Sequence, residues 1–212
     1  MNLILLGAPG AGKGTQAELL TEKLTIPAIS TGNMLREAIA NGSALGQKVK
    51  KFMDEGSLVP DDVILDIVAE RVSRADCANG FILDGVPRTL AQAEALDARS
   101  VSIDHVISIE IDDELIEGRM TGRRVCSHCG ASYHVVAHPP KSEGICDSCG
   151  SELVIRKDDA PETVRKRLTV YHAETEVLKE FYQKLGKLRI IDGNQPIEDA
   201  NNAILAAIKA QV

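Results

Sequence analysis

The sequence predicts an α/β fold of three layers, α/β/α, in which a five-stranded parallel sheet lies between helices and two insertions interrupt the pattern. Three observations predict it. Short apolar runs alternate with helical patterns along most of the chain. One stretch keeps a helical period but has no strand. Another loses both periods and fills with Gly, Cys, Ser, His and Pro.

The elements follow in order. Leu3 to Leu6 is an apolar run ending at Gly7, as a strand buried on both faces would. Pro27-Ala28-Ile29, Phe81-Ile82-Leu83, Val106-Ile107-Ser108-Ile109 and Leu188-Arg189-Ile190-Ile191 read the same way. Leu45, Val49, Phe52 and Met53 share one helical face. Val63, Ile64, Ile67, Val68 and Val72 share another, with Asp61 as the expected N-cap. Residues 30–59 read as helix-turn-helix. Residues 122–159, punctuated by Pro139-Pro140 and Gly144, read as a separate loop-built subdomain. Pro161 suits the first turn of a helix that resumes over 161–185. The expected organisation is a core made of 1–29, 60–121 and 160–212, with insertions at 30–59 and 122–159.

Bulk properties narrow the function. A chain of 212 residues, 44% of them hydrophobic, supports one core with inserted subdomains rather than two ordinary domains. Trp is absent, and there are only three Tyr and three Phe, so the core is aliphatic. No apolar run approaches the ~20 residues of a membrane helix. Met1-Asn2 leads directly into Leu3 without a basic leader, which makes the cytoplasm the expected location. A net charge of −7 counts against a general nucleic-acid binder, although a local arginine cluster remains compatible with it.

Gly7-Ala8-Pro9-Gly10-Ala11-Gly12-Lys13 matches G-x-x-x-x-G-K, and it stands where the motif requires, after a strand and before a helix. Its glycines let successive N–H groups turn inward, and the helix N-terminus adds positive partial charge. Lys13 supplies a mobile full charge for phosphates. Gly14 stands where the general motif has Ser or Thr, and Thr15 follows. The loop says that a nucleotide binds; alone it does not separate a kinase from a GTPase or a transporter ATPase.

Cys126-x2-Cys129 and Cys146-x2-Cys149 are separated by sixteen residues. Two such knuckles each present two thiolates to half of a tetrahedron, which points to a structural zinc site, with iron as the alternative metal. Four sulfurs complete the site, so His128 and His134 are expected at the surface. Cys77 is expected to be a small packed side chain.

The string from Gly7 to Ala17, including Gly14-Thr15, resembles the phosphate loop of the adenylate kinase family. Three further segments resemble the family in order and spacing: Ser30-Thr31-Gly32-Asn33-Met34-Leu35-Arg36; Asp84-Gly85-Val86-Pro87-Arg88-Thr89 with Gln92; and Thr121-Gly122-Arg123-Arg124 with Arg156 and Arg167. The resemblance spans essentially the whole chain, including the lid insertion of the family's longer form. It implies a P-loop fold, with 30–59 as an AMP-binding segment and 122–159 as a zinc-stapled lid. It also implies reversible phosphoryl transfer from MgATP to AMP, giving ADP.

The resemblance assigns residues too. Lys13, Arg88, Arg123, Arg156 and Arg167 would be catalytic. Gly10, Ala11, Gly12, Gly14, Thr15, Arg119, Arg123, Ser132, Tyr133 and Gln195 would meet ATP. Thr31, Arg36, Ser57, Leu58, Val59, Gly85, Val86, Pro87, Gln92 and the arginines 88, 156 and 167 would meet AMP, with Gln92 reading the adenine edge. Asp84 would order the water shell of Mg2+. Arginine suits the phosphate roles because its planar fork binds two oxygens at once, which lysine cannot do.

Arg124, Arg165 and Lys166 read as solvated charges. Asp158-Asp159 stand either as a solvated pair or as hydrogen-bond partners of the closing arginines. Where the family usually has Asp, Phe and Pro, this chain has Asn33, Val86 and Val177. Asn33 should weaken the water network around magnesium, and Val86 removes a ring near the AMP site. Rival readings are a kinase preferring UMP or CMP, a GTPase (no Asn-Lys-x-Asp motif occurs), and a nucleic-acid or protein-binding module built on the knuckles. A monomer that binds neither membrane nor nucleic acid is expected.

Overall fold

The computed structural model describes residues 1–209; the last three residues of the expected core segment lie outside the described ones. In chain order the elements are β1 Asn2–Leu6, α1 Lys13–Leu24, β2 Ala28–Ser30, α2 Thr31–Ala40, α3 Ala44–Glu55, α4 Asp61–Val72, β3 Phe81–Asp84, α5 Leu90–Ala98, β4 His105–Glu110 and α6 Asp113–Thr121. Then come β5 Arg123–Cys126, β6 Ser132–His134, β7 Leu153–Val154, α7 Pro161–Val170, a π-turn Tyr171–Thr175, α8 Leu178–Lys184, β8 Leu188–Asp192 and α9 Ile197–Lys209.

Five strands form one parallel sheet in the order β2-β3-β1-β4-β8. The central strand β1 shows why the sheet is buried on both sides. Its side chains alternate, sending Ile4 and Leu6 into one apolar cluster and Leu3 and Leu5 into the other. The first cluster joins the sheet to Leu35, Val49, Val68 and Leu96 of α2 to α5. The second joins it to Leu20 of α1 and Ile204 of α9. A strand whose every residue meets a helix layer must read as an unbroken apolar run.

The helical insertion also follows its pattern. Ser43 caps α3, accepting from the Gly46 N–H at 3.1 Å. Gly46 allows α2 and α3 to touch, because a Cβ there would collide with the Ala38 carbonyl.

Two expectations need correction. Asp61 is the first residue of α4, not its cap; Pro60 holds that position. The Asp61 carboxylate is drawn elsewhere, accepting from Thr89 Oγ1 at 3.0 Å and Gln92 Nε2 at 2.6 Å. The segment read as loop-built also contains an antiparallel sheet, β6-β5-β7. Its strands are two to four residues long, too short for a period of two to show in sequence.

Candidate active site

In a parallel sheet all strands end on the same edge, and that edge is where loops can gather around a ligand. Here Gly7 follows β1, Ser30 and Asp84 end β2 and β3, and Gly193 follows β8. Above them lies a cleft of about 660 Å³.

The phosphate loop forms its floor. A Cβ on Gly7, at φ +139°, would stand 2.5 Å from the Ile109 carbonyl, so glycine is required for the loop to pass β4. Gly12, at φ +95°, leads into α1 at its N-terminus. Lys13 Nζ donates to the Gly7 and Ala8 carbonyls at 2.7 and 2.8 Å. Burial pulls its pKa down to about 8, with Arg88, Arg167 and Arg123 adding to the fall and Asp84 opposing it.

Around Lys13 the cleft gathers Arg36, Arg88, Arg119, Arg123, Arg156 and Arg167. Burial holds the guanidinium groups of Arg36, Arg88, Arg156 and Arg167 below their ordinary pKa. A protein of net charge −7 thus concentrates partly buried cations at one place. Asp158 and Asp159 only partly balance them. Arg123 Nε donates to Asp159 Oδ2 at 2.8 Å, and its Nη2 bonds the other oxygen, a bidentate fork. Arg167 Nη1 donates to Asp158 Oδ2 at 2.9 Å, and Arg36 Nη1 lies 3.8 Å from the same oxygen. Burial alone would raise the Asp158 pKa, but Arg167, Arg36, Arg156 and Arg123 together hold it low. Of the two readings of this acidic pair, the structure gives the one with arginine partners.

The two insertions meet across the cleft. Asn33 Oδ1 accepts from Arg36 Nη2 at 2.7 Å and from Arg156 Nη2 at 3.3 Å. An amide therefore joins a guanidinium from α2 to one that follows β7.

Most of the residues singled out in the sequence line this cleft: Gly10, Ala11, Gly12, Gly14, Thr15, Ser57, Asp84, Gly85, Ser132, Tyr133 and Gln195 join Lys13 and the arginines. Others do not. Thr31, Val59, Val86 and Gln92 are buried, while Leu58 and Pro87 line a separate small cavity of about 60 Å³. Val86 belongs to the apolar core. Gln92 is held at both ends of its amide, its Oε1 accepting from the Arg88 N–H at 2.7 Å and its Nε2 donating to Asp61.

Sequence reasoning missed several wall residues. Glu18, Met120 and His138 line the cleft. His134, expected at the surface, lines it too, and its Nδ1 accepts from the Val136 and Ala137 N–H groups. No local signal marks these positions: pairing around β6 places His134 and His138, while the packing of α1 and α6 places Glu18 and Met120.

The four knuckle cysteines converge on a metal-sized space. Cys126 Sγ lies 3.4 Å from Cys149 Sγ, Cys129 Sγ lies 3.6 Å from Cys146 Sγ, and all four are within 4.8 Å of one another. Tetrahedral Zn–S bonds of about 2.3 Å require sulfurs roughly 3.8 Å apart, so the donor set fits a structural zinc site. Each knuckle ends in a glycine at positive φ, Gly130 and Gly150, whose N–H closes back onto the first cysteine carbonyl. The Tyr133 hydroxyl lies 3.5 Å from Cys146 Sγ, so Tyr133 is also part of the small core beneath this site. Cys77 lies apart, buried beside Arg71. Among the described residues no helix is long and apolar enough to cross a membrane.

Comparison with known proteins agrees with this geometry. A family model described as adenylate kinase matches residues 5–187. The adenylate kinase of Caldicellulosiruptor bescii is 54% identical, over 98% of this chain and 99% of that one. That of Lachnospira eligens is 53% identical over 97% and 98%. That of Carboxydothermus hydrogenoformans is 51% identical over 99% and 100%. With a phosphate loop, a ring of partly buried arginines and a four-cysteine site in one chain that these relatives match end to end, the chain belongs to the adenylate kinase family.

Proposed function

We propose that this chain catalyses MgATP + AMP ⇌ 2 ADP and so balances the adenine nucleotides. The observation that carries this reading is the ring of Lys13, Arg36, Arg88, Arg123, Arg156 and Arg167 around one cleft in an acidic protein. Phosphoryl transfer between two polyanions needs neutralised charge, in-line placement and exclusion of water, with no covalent chemistry from the protein.

Each side chain then has a task. The loop N–H groups from Gly10 to Thr15 and Lys13 hold the ATP phosphates, while Arg119 lies against the adenine, with Ser132, Tyr133 and Gln195 bordering it. Arg36 and Arg88 grip the AMP phosphate as forks. Arg123, Arg156 and Arg167 meet the migrating group. Mg2+ arriving with ATP supplies charge neutralisation at the phosphate oxygens, and Asp84 would hold its water shell. Thr31, Gly85, Gln92 and the segment from Ser57 to Val59 border the AMP nucleoside. Gln92 would read the adenine edge with the N–H and lone pair that its bonds to Arg88 and Asp61 leave over.

Residues 30–59 and 122–159 act as two covers over the core of 1–29, 60–121 and 160–212. The contacts of Asn33 and Arg36 with Arg156 and Asp158 support this division. The protein would work as a cytoplasmic monomer that takes nucleotides and not nucleic acid, which sedimentation and filter binding with DNA and RNA would test. The deciding experiment is a coupled assay of ADP formation from MgATP with AMP, UMP and CMP in turn. AMP is expected to be the preferred acceptor; no ADP from AMP, or a preference for UMP or CMP, overturns the reading.

A further inference from the structure

The helical segment that carries Arg167 changes pitch immediately after it. Glu176 N–H donates to the Tyr171 carbonyl at 2.9 Å, a bond spanning five residues, which makes 171–175 a π-turn. Such a turn holds one residue more than an α-turn, so the helix beyond it is rotated by about 100° around the axis. Tyr171-His172-Ala173-Glu174-Thr175 contains neither Gly nor Pro, so no local breaker accounts for the change.

The rotation brings Thr175, 7% exposed, onto another segment of the chain. Its Oγ1 donates to the Arg88 carbonyl at 2.7 Å, across 87 residues of sequence. On the other side of the same residue, the Arg88 N–H donates to Gln92 Oε1 at 2.7 Å, and Gln92 is anchored by Asp61. The Arg88 side chain is steadied in turn by Nε donating to the Gly85 carbonyl at 2.9 Å. The backbone of Arg88 is thus gripped at both its polar groups by side chains.

We propose that Thr175 is a positioning residue for phosphoryl transfer. The π-turn aims its hydroxyl at the Arg88 carbonyl and so fixes the direction from which the Arg88 guanidinium meets the acceptor phosphate. The inference rests on the role given to Arg88 above. Thr175 is not part of the cleft wall; it lines the small cavity behind Arg88 and Arg167. Its effect must therefore pass through Arg88. Displacing a phosphate-holding group by about 1 Å can lower the rate on the order of 100-fold, so a single hydroxyl at this place matters.

The test compares Thr175→Val, which keeps the shape and loses the hydroxyl, with Thr175→Ser, which keeps the hydroxyl. Steady-state kinetics are measured against AMP and ATP separately, AMP binding by calorimetry, and melting temperature for each protein. Thr175→Val is expected to lower kcat about tenfold and raise the AMP KM several-fold, with the ATP KM within roughly twofold of wild type. Thr175→Ser is expected to recover most of the loss. Wild-type parameters in Thr175→Val overturn the proposal, as do equal shifts in both KM values or a Ser variant as impaired as Val. If Thr175→Val melts below the assay temperature, Thr175→Ala against Thr175→Ser at a temperature where both are folded gives the same comparison. A wild-type protein that makes no ADP from AMP overturns the functional reading itself. An active wild type with an unaffected Val variant overturns only the role of Thr175.

Discussion

Lys13 shows how far a single residue can be argued. Its ammonium is buried and held by two carbonyls of its own loop, and burial pulls its pKa down to about 8. Phosphate oxygens would replace those carbonyls with full negative charge and raise the pKa again, so the site is built for an anion. Lys13→Met should leave the melting temperature nearly unchanged and abolish measurable turnover. Arg88→Ala should weaken AMP use and slow transfer, losing about 3 kcal/mol of transition-state stabilisation, roughly 100-fold in rate. Near-normal rates in both variants, measured by ADP formation, would contradict these roles. Lys13 and the loop glycines were legible in the sequence because their chemistry is local: the chain between Gly7 and Lys13 makes the nest by itself. Asp61 was not. A carboxylate at a helix start reads as a cap, and only the distant α5 reveals that Thr89 and Gln92 claim it.

Among the elements, the small sheet β6-β5-β7 with its four cysteines is the one least able to fold alone. Its apolar cluster is Cys126, Tyr133, Cys146 and Leu153, with Ala131 at the margin. Two of its members, Cys126 and Cys146, are themselves among the four cysteines that fit the zinc site. A segment this poor in apolar burial needs a metal to stand in for a core. Zinc binding to thiolates couples metal affinity to local folding. Chelator or acid should therefore loosen 122–159 before the large sheet, which has aliphatic clusters on both faces. Cys129→Ser is expected to lose bound zinc and melt at lower temperature while still making some ADP when cold; Cys77→Ser should keep its metal. Elemental analysis checks both, and full metal retention in Cys129→Ser would remove the assignment. The knuckle spacing made the site visible in sequence, whereas the strands around it were not, since none is longer than four residues. The π-turn was equally hidden. Its sequence is ordinary helix, and its bond to Arg88 is a property of the packed molecule.

At the scale of the whole molecule, the central strands were legible because a doubly covered sheet leaves unbroken apolar runs; the edge strand β8 shows a weaker form of the pattern, interrupted by Arg189 and with Ile190 exposed. The way the insertions meet was not legible, because their contacts are polar and join residues more than a hundred positions apart, as Asn33 and Arg156 do. That meeting has a measurable counterpart. Labels placed on the helical insertion and on the lid, each paired with one on the core, should move closer when ATP and AMP analogues bind together. Closure would exclude water and limit wasteful hydrolysis of ATP. A distance distribution unchanged by both nucleotides would refute the two-cover division. Asn33 adds a particular shade to this. It holds Arg36 and Arg156 with a neutral amide, so this contact itself cancels none of their charge.

The packing of α1 against α9 bears on how this protein is made. Gln16 of α1 bonds the Ile197 carbonyl and Asn201 with its amide, and Lys23 bonds Asn201 as well, at 2.6 to 2.9 Å. Asn201 is fully buried, so these bonds form inside the molecule. The helix that opens behind the phosphate loop is thus completed by residues synthesised about 180 positions later. While those later residues are still within the ribosome, the side of α1 that faces α9 has no cover and two of its polar side chains have no partner. The cleft above the phosphate loop also takes wall residues from Gln195 to Ala200, so it is complete only once α9 has been made. Until then the growing chain presents an apolar sheet face to its surroundings, and chaperones have their opportunity in that interval.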